Sequence, residues 1–180
     1  MPVSVGMPAE RLKLQWSLLG VVACERGCGC MLTFESASAE QYGECMQLML
    51  DEAGGYLQGT LKLMQISMDE FNHLFRTVGT LHAIYDDKQL AGFYWIEARE
   101  KVLHLHALLL KQQFQGKGIG TRTLNMLASK YVGIMRTIEL GVHESNEGAI
   151  RLYERNGFST VKQLEDLRFR IMQKTLPSHQ

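Results

Sequence analysis

Long apolar runs, net charge and paired cysteines are all scarce in this sequence. No apolar run among the 180 residues approaches the roughly 18 residues that a membrane span requires. Lys and Arg together number 19, as do Asp and Glu, so no net field attracts nucleic acid or an anionic membrane. We therefore expect neither nucleic acid nor a membrane as partner, and small molecules or other proteins instead.

The four cysteines form no recognisable framework. Cys24, Cys28 and Cys30 have the spacing C-x3-C-x-C, but no second Cys or His pair follows at the spacing of a zinc site. We therefore predict no metal. Cysteines without a disulfide framework are typical of a reducing compartment, so the predicted location is cytoplasmic.

The first thirty residues differ from the rest of the chain. Two basic residues precede the apolar stretch LQWSLLGVVAC, which is similar to a short export signal, but Gln15 and Ser17 interrupt it. We interpret residues 1–30 as a flexible N-terminal extension or the product of an upstream start codon. Residues 31–180 are predicted to form one domain, since a chain of this length with 46% hydrophobic residues can bury a single core.

Hydrophobic periodicity predicts the order strand, two helices, three strands, helix, strand, helix, two strands. Capping boxes at Ser38 and Ser67 mark the starts of the first two helices. The first helix is predicted to end near Asp51, and residues 56–65 are predicted to be a loop with a short helix. The predicted strands are 31–38, 80–85, 89–98, 101–110, 137–143, 158–165 and 167–175, and the later helices are 119–131 and 146–156.

The predicted fold class is α/β, in the form of an α+β mixed sheet. Seven strands are expected, mainly antiparallel, with helices on both faces of the sheet. The connection from strand 101–110 through helix 119–131 to strand 137–143 is predicted to be a central parallel crossover.

A glycine-rich loop precedes the third predicted helix. The stretch FQGKGIGTRTLNML, residues 114–127, fails the dinucleotide pattern G-x-G-x-x-G because Thr121 stands where the third glycine belongs. It also fails the P-loop pattern G-x-x-x-x-G-K-(S/T). What remains is Q-x-x-G-x-G, in which glycines let backbone N–H groups and a helix N-terminus converge on an anion. This pattern favours a pyrophosphate.

This loop and a second segment resemble the GNAT superfamily of acetyl-CoA-dependent N-acetyltransferases. The family's coenzyme A loop is (Q/R)-x-x-G-x-(G/A), and ELGVHESNEGAIRLYERNGF, residues 139–158, resembles its segment of strand, Asn, helix and L-Y-E-x-x-G-F. The resemblance implies an acyltransferase with a GNAT-like fold, acetyl-CoA as co-substrate, and a primary amine that attacks the thioester directly. It covers residues 31–176 in element order and is specific over about 103–158.

The resemblance also implies where the coenzyme binds. The contacts are expected from the loop, from the backbone of the strand before it and from an asparagine at a helix start. The corresponding residues are Leu108, Leu109, Leu110, Gln115, Gly116, Lys117, Gly118, Ile119, Gly120, Thr121 and Asn146. As an exposed residue, Lys117 is equally explained by solvation alone.

Transfer to an amine requires a base, because an alkyl ammonium with a pKa of about 10 is mostly charged at neutral pH. His104 and His106 are two apart in a predicted strand and should share a face. The stretch HLHAL ahead of the loop is similar to arylalkylamine N-acetyltransferases, in which the matching histidines serve proton removal through waters. Alternatively, both lie on a half-polar strand face without a catalytic role. Glu139 and His143 are the reserve bases.

Tyr153 is the candidate general acid for the thiolate leaving group. In the family, the matching tyrosine donates to the coenzyme sulfur. The alternative is an ordinary core aromatic on an amphipathic helix.

Other interpretations stay open. Glu52 and Glu97 could attract a cationic amine or be solvated surface charges. Terminal strands of this fold often pair across a dimer, so a homodimer is one expectation. The competing function is a non-catalytic acyl-CoA-binding sensor or docking module of the same fold.

Overall fold

A seven-stranded sheet with the strand order β1-β2-β3-β4-β5-β7-β6 forms the centre of the protein. The structure is a computed structural model and describes residues 31–178, so the predictions for residues 1–30 lie outside it. The strands are β1 (Leu32–Ser36), β2 (Thr80–Asp86), β3 (Gln89–Arg99), β4 (Val102–Leu110), β5 (Thr137–His143), β6 (Ser159–Leu164) and β7 (Phe169–Thr175). The α-helices are α1 (Ala39–Leu63), α2 (Met68–Thr77), α3 (Ile119–Tyr131) and α4 (Glu147–Arg155).

The sheet is antiparallel except at its centre. Strands β4 and β5 are the parallel pair, and α3 connects them. The other neighbouring strands pair antiparallel. The predicted mixed sheet with a central parallel crossover is therefore confirmed.

Two tight hairpins join β2, β3 and β4. Asp87 and Lys88 have φ of 47° and 69°, and Glu100 and Lys101 have φ of 49° and 67°. Two consecutive left-handed residues form the turn whose twist matches that of the flanking strands. These turns agree with the polar turns predicted between the three strands.

Helix α1 is longer than the sequence pattern predicts. The predicted capping box at Ser38 is present, but the helix continues to Leu63. The predicted end near Asp51 and the predicted loop at 56–65 are therefore wrong. The physical reason is a buried stripe at i, i+4 spacing whose contacts with the sheet outweigh the low helix propensity of the glycines in this segment. The stripe consists of Cys45, Met49, Ala53, Leu57 and Leu61.

Helices cover both faces of the sheet, as predicted. Helices α1 and α2 pack on one face, where Phe71 and Phe75 meet Trp95 of β3 in one hydrophobic cluster. Helices α3 and α4 pack on the opposite face, where Leu124 and Leu152 belong to a second cluster. The central strand β4 is thus buried on both sides, whereas β6 at one edge is largely exposed.

Strand β4 is irregular where it parts from β5. Register pairs between the two strands run from Val102 to Leu105 of β4 and stop there, although both strands continue. On its other edge β4 carries an extra residue, His106, because Trp95 pairs with Ala107 while Ile96 pairs with Leu105. We call the space between residues 106–110 of β4 and residues 141–143 of β5 the opening.

Candidate active site

The glycine loop lies directly after β4 and begins α3. Gly116 and Gly118 have φ of 78° and 72°, a backbone region that favours glycine, and Gly118 is the N-cap of α3. The first N–H groups of a helix have no partner within the helix, and this cap has no side chain to accept from them. Ile119, Gly120 and Thr121 form this first turn, while Lys117 is exposed, with Nζ 5.1 Å from the centre of the Phe114 ring.

Gln115 fixes the loop to the end of β4. Its Nε2 donates to the carbonyl of Leu110 at 3.0 Å and lies 3.5 Å from Oε2 of Glu52 on α1. The side chain predicted to contact the coenzyme is therefore already bonded to protein. The side chains of Leu108, Leu109 and Leu110 are fully buried, so any role in the opening belongs to their backbone.

Tyr153 of α4 has a fully buried side chain. Within residues 31–178 its hydroxyl has no hydrogen-bond partner. An unpaired buried hydroxyl costs about 1–3 kcal/mol, which a core tyrosine normally avoids. Burial, and secondarily the phenol of Tyr56, raise the pKa of Tyr153. The phenol therefore stays protonated at neutral pH, as a general acid must.

Asn146 is the N-cap of α4. Its Oδ1 accepts a hydrogen bond from the backbone N–H of Ala149 at 3.1 Å, and the side chain is buried. Capping of this kind stabilises a helix by about 1 kcal/mol. The predicted coenzyme contact of Asn146 stays a prediction, beside this structural role.

Tyr56 of α1 is a residue of the site that sequence reasoning missed. Its ring stacks on that of His143 with centroids 4.9 Å apart and planes 6° apart, and it meets the edge of Phe169 at 6.2 Å. Burial, and then the Glu52 carboxylate, raise the pKa of Tyr56 to about 12. Tyr56 lies in the segment predicted to be a loop, where no helical periodicity was expected, so no signal pointed to it.

His143 ends β5 and faces Tyr56. Its Nδ1 accepts from the backbone N–H of Ser145 at 3.2 Å and lies 2.7 Å from Ser145 Oγ. Burial, and then the nearby Arg168, lower the pKa of His143. This reserve base is therefore neutral at neutral pH.

His104 and His106 share a face of β4, as predicted. Their rings stack with centroids 6.1 Å apart and planes 15° apart. His104 Nδ1 lies 3.2 Å from Glu139 Oε1, and His106 Nε2 lies 3.1 Å from Glu97 Oε2. Each histidine is therefore paired with a carboxylate from a neighbouring strand, and both imidazoles are buried.

Further polar side chains join these two pairs into one cluster. Gln173 Nε2 donates to Glu139 Oε2 at 2.6 Å, and Arg99 lies 3.4 Å from Glu97 Oε1 and 3.2 Å from His104 Nε2. We call these six side chains the polar strip: Glu97, Arg99, His104, His106, Glu139 and Gln173. Sequence reasoning found the histidines and Glu139, but not Arg99 or Gln173.

The carboxylates of the polar strip are ionised at neutral pH. A hydrogen bond from His106 lowers the pKa of Glu97 against the opposing effect of burial, with a further lowering from Arg99. A hydrogen bond from His104 lowers the pKa of Glu139 in the same way, with help from Gln173. Glu97, whose side chain is 21% exposed, is therefore a bonded member of the site and the interpretation as a solvated surface charge is wrong.

The structure thus brings the candidate residues together in two groups. Tyr153, Tyr56, His143 and the glycine loop surround the opening, and the polar strip lies along the first half of β4. The bulge residue His106 belongs to the polar strip and also begins the opening. Among residues 31–178 no group of three or more His, Cys, Asp or Glu side chains is placed to hold a metal ion.

A protein-family model matches more than half of this chain. The model is that of the acetyltransferase (GNAT) family, and it matches residues 43–158. The chain belongs to this family. The matched range includes the glycine loop and the segment around Tyr153, so the resemblance to GNAT acyltransferases is confirmed at the level of the family.

Two curated proteins are related to this GNAT domain over part of their length. A mycothiol acetyltransferase of Corynebacterium efficiens is 26% identical over 81 residues, which are 44% of this chain and 27% of that protein. A mycothiol acetyltransferase of Propionibacterium freudenreichii is 31% identical over 93 residues, which are 48% of this chain and 30% of that protein. The matched parts thus make up less than a third of these relatives.

Solved GNAT structures have the same fold. An IAA acetyltransferase from Bacillus cereus superimposes with a TM-score of 0.61 at 17% identity, covering 81% of this chain and 100% of that one. A spermidine N-acetyltransferase from Vibrio cholerae superimposes with a TM-score of 0.59 at 18% identity, covering 80% and 95%. At such low identity these similarities establish the fold alone. Within the part of the chain that the structure describes, no helix combines the length and apolarity needed to cross a bilayer.

Proposed function

We propose that this protein transfers an acetyl group from acetyl-CoA to a primary amine. The observation that carries the proposal is the buried Tyr153 hydroxyl, which lacks a hydrogen-bond partner among residues 31–178. A buried hydroxyl without a partner is explained if it donates a hydrogen bond to a bound ligand. We assign this ligand atom as the thioester sulfur of coenzyme A. Tyr153 then acts as general acid toward the departing thiolate.

The coenzyme would be held by backbone groups. The N–H groups at Ile119 to Thr121 converge beyond the Gly118 cap and suit a pyrophosphate. The backbone of Leu108 to Leu110, which lies past the last register pair with β5, suits the amide groups of the pantetheine arm. Bound acetyl-CoA supplies an activated acetyl thioester, and the chain supplies orientation, a proton donor and a base. Solved relatives were crystallised with coenzyme A or acetyl-CoA.

The base is assigned to the polar strip. Its ionised Glu97 and Glu139 carry two negative charges against the single positive charge of Arg99, so the polar strip has an excess negative charge when both histidines are neutral. This charge favours an ammonium group over an anionic acceptor. Removal of one ammonium proton gives the free amine that attacks the acetyl carbon directly. Amines are acceptors in related structures, one of which contains spermine and another of which is a ribosomal-protein-S18-alanine N-acetyltransferase.

The test is release of free thiol from acetyl-CoA by the full chain. Polyamines, arylalkylamines, amino acids, aminoglycosides and peptides are assayed in parallel, and acetyl-CoA binding is measured by calorimetry. We expect turnover with one amine class and none with the Gly118→Glu variant. Binding without turnover by any amine would favour the sensor or docking module instead. Absence of binding would reject both functions.

The proposal also covers the domain bounds, the cellular location and the oligomeric state of the protein. Residues 31–180 are the catalytic domain, the cytoplasm is its location, and two copies form a homodimer through the terminal strands. The side chains of β6 at the sheet edge, among them Val161, are largely exposed, which supports pairing there. Sedimentation equilibrium tests the homodimer, and a monomer at micromolar concentration would contradict it.

A further inference from the structure

The Tyr153 hydroxyl is closed off from solvent. The side chain is fully buried, and its oxygen exposes almost no surface. Under the proposed function, the thioester sulfur of coenzyme A must come within hydrogen-bond distance of this oxygen. Protein atoms must therefore move out of the opening before the thioester can reach Tyr153.

Tyr56 faces Tyr153 across the opening. Helix α1, which carries Tyr56, packs on one face of the sheet, and α4, which carries Tyr153, packs on the other. The phenol of Tyr56 is nevertheless close enough to raise the pKa of Tyr153. The two side chains therefore approach each other through the gap between β4 and β5.

One turn of α1 extends along the opening. Glu52 and Tyr56 are four residues apart in this helix and so lie on the same side of it. Glu52 Oε2 lies 3.5 Å from Nε2 of Gln115 in the glycine loop, and the Tyr56 ring stacks on His143 at the end of β5. This turn thus reaches from the loop that follows β4 to the end of β5, and it covers the opening from the α1 side.

Tyr56 lies at the margin of the buried stripe of α1. Its side chain is half-buried, whereas those of Ala53 and Leu57 are almost fully buried in the core. Its ring contacts the face of His143 and the edge of Phe169. Contacts between pairs of rings are individually weak. The stripe can therefore hold α1 on the sheet while the Tyr56 ring changes position.

Gly55 and Gly59 flank Tyr56 within α1. A Cβ added at either position would meet nothing within 4 Å, so close packing does not require glycine there. Glycine lowers the stability of a helix relative to alanine, because its backbone loses more freedom when the helix forms. The turn that carries Tyr56 is therefore easier to bend than a turn with alanine at these two positions.

We infer that Tyr56 is a gate, closed in the free protein, and that α1 bends at Gly55 and Gly59 to carry the Tyr56 ring off His143 when acetyl-CoA enters the opening. The inference rests on the proposed function, because the thioester of acetyl-CoA is the group that needs access to Tyr153. The two glycines supply the freedom to bend, and the ring contacts with His143 and Phe169 define the closed position.

The first experiment is hydrogen–deuterium exchange of single amides, measured by NMR on the full chain without ligand. If the turn opens, protection factors at residues 56–60 should be at least about tenfold lower than at residues 45–49 of the same helix. The double variant Gly55→Ala with Gly59→Ala should remove most of that difference. Equal protection of the two segments in the wild type, or an unchanged difference in the double variant, would overturn the inference.

The second experiment measures the association rate constant of acetyl-CoA by stopped flow. Alanine at both glycine positions favours the closed helix, so the rate constant should fall by about five- to tenfold in the double variant. Tyr56→Ala removes the ring and should raise the rate constant by a similar factor. Tyr56→Phe keeps the ring and should return most of the wild-type rate. An unchanged rate constant in the double variant or in Tyr56→Ala would contradict the gate.

Gly43→Ala is the matched control. Gly43 is exposed, lies in the same helix, and an added Cβ would again meet nothing within 4 Å, but it precedes Tyr56 by more than three turns. The variant should stabilise the fold as Gly59→Ala does, without changing exchange at residues 56–60 or the association rate constant. Slower association in Gly43→Ala would mean that helix stability alone controls the rate, and the inference would fail.

The outcomes distinguish a failure of the gate from a failure of the proposed function. If acetyl-CoA does not bind the wild type, the proposed function fails and the gate fails with it. If acetyl-CoA binds and is turned over, but the glycine double variant associates with it at the wild-type rate, only the gate fails.

Discussion

The two halves of β4 are built in contrasting ways. In the paired half, residues 102–106, the strand has register partners on β5 from Val102 to Leu105, and its two histidines are bonded to carboxylates. In the open half, residues 107–110, the ladder to β5 has ended, and the nearby Tyr153 hydroxyl lacks a partner among residues 31–178. One strand therefore carries a completed network at one end and incomplete bonding at the other.

Under the proposed function, this difference separates two tasks of an acyltransferase. A base must have the right protonation state before the substrate arrives, so its bonds are made within the chain. A binding cleft for an extended ligand must keep donors and acceptors for that ligand, so its bonds are left unmade. The bulge at His106 lies at the boundary and belongs to both halves.

The largest effect is expected from a substitution that affects only the open half and the glycine loop that follows it. Gly118→Glu places a carboxylate at the α3 N-terminus and a side chain at φ of 72°. Charge repulsion and steric block should weaken acetyl-CoA binding by at least about a hundredfold. Calorimetry measures this, with Gly133→Glu as control because Gly133 also has φ of 72° but lies after α3. Equal acetyl-CoA affinity in the two variants would mean that the glycine loop does not bind the coenzyme.

The next largest effect is expected at the unpartnered hydroxyl. Tyr153→Phe removes the proposed general acid and should lower kcat by about a hundredfold while acetyl-CoA affinity is nearly unchanged. The same change removes a buried hydroxyl without a partner, so the free energy of unfolding should stay the same or rise. Tyr94→Phe, in the same core cluster, serves as control for both measurements. Wild-type turnover in Tyr153→Phe would mean that Tyr153 is an ordinary core aromatic without a catalytic role.

A smaller effect, on the pH dependence of stability, is expected from the two carboxylates of the paired half. Because the folded pKa values of Glu97 and Glu139 lie below the ordinary 4.5, their stabilisation is complete above pH 4.5 and is lost as the pH falls through the folded values. The Tm should therefore decline on acidification below about pH 4.5, by a few degrees less in the double variant with Gln at both positions. Replacing the exposed Glu44 and Glu154 is the control. Parallel declines in all three proteins would mean that these bonds contribute nothing to stability.

The smallest expected effect concerns the helix that brings Tyr56 to the opening. A Cβ at exposed Gly59 would meet nothing within 4 Å, so Gly59→Ala should stabilise the fold by about 0.5–1 kcal/mol if α1 is continuous. Gly92→Ala is the contrasting variant and should destabilise, since its Cβ would overlap the Leu109 carbonyl. Urea unfolding compares them. A neutral or destabilising Gly59→Ala would favour the loop that the sequence pattern predicts.

Local signals made much of the fold predictable. The capping boxes at Ser38 and Ser67, the polar hairpin turns and the glycine loop each fix a boundary through residues close in sequence. Helix α3 and strand β5 begin and end at the predicted residues for the same reason. The continuation of α1 to Leu63 was not predictable in this way, because a buried stripe on the sheet, and not local propensity, decides it.

The site was predictable only where its residues are close in sequence. The glycine loop, the histidine pair and the Tyr153 segment each have a readable spacing. The bonds of Arg99 to His104 and of Gln173 to Glu139 depend on strand register, including the extra residue at the β4 bulge. A shift of one residue would turn those side chains to the other face. Sequence patterns do not encode such register.

The early end of the β4–β5 ladder also determines how quickly this strand exchanges its amide hydrogens with solvent. Successive N–H groups of a strand point to opposite edges, and residues 107–110 keep only their partner β3. In the free protein, amides facing β3 should be protected while every second amide, facing β5, exchanges rapidly. A ligand that lies along β4 would remove this alternation, so a few amides of one strand would report occupancy without any measurement of turnover.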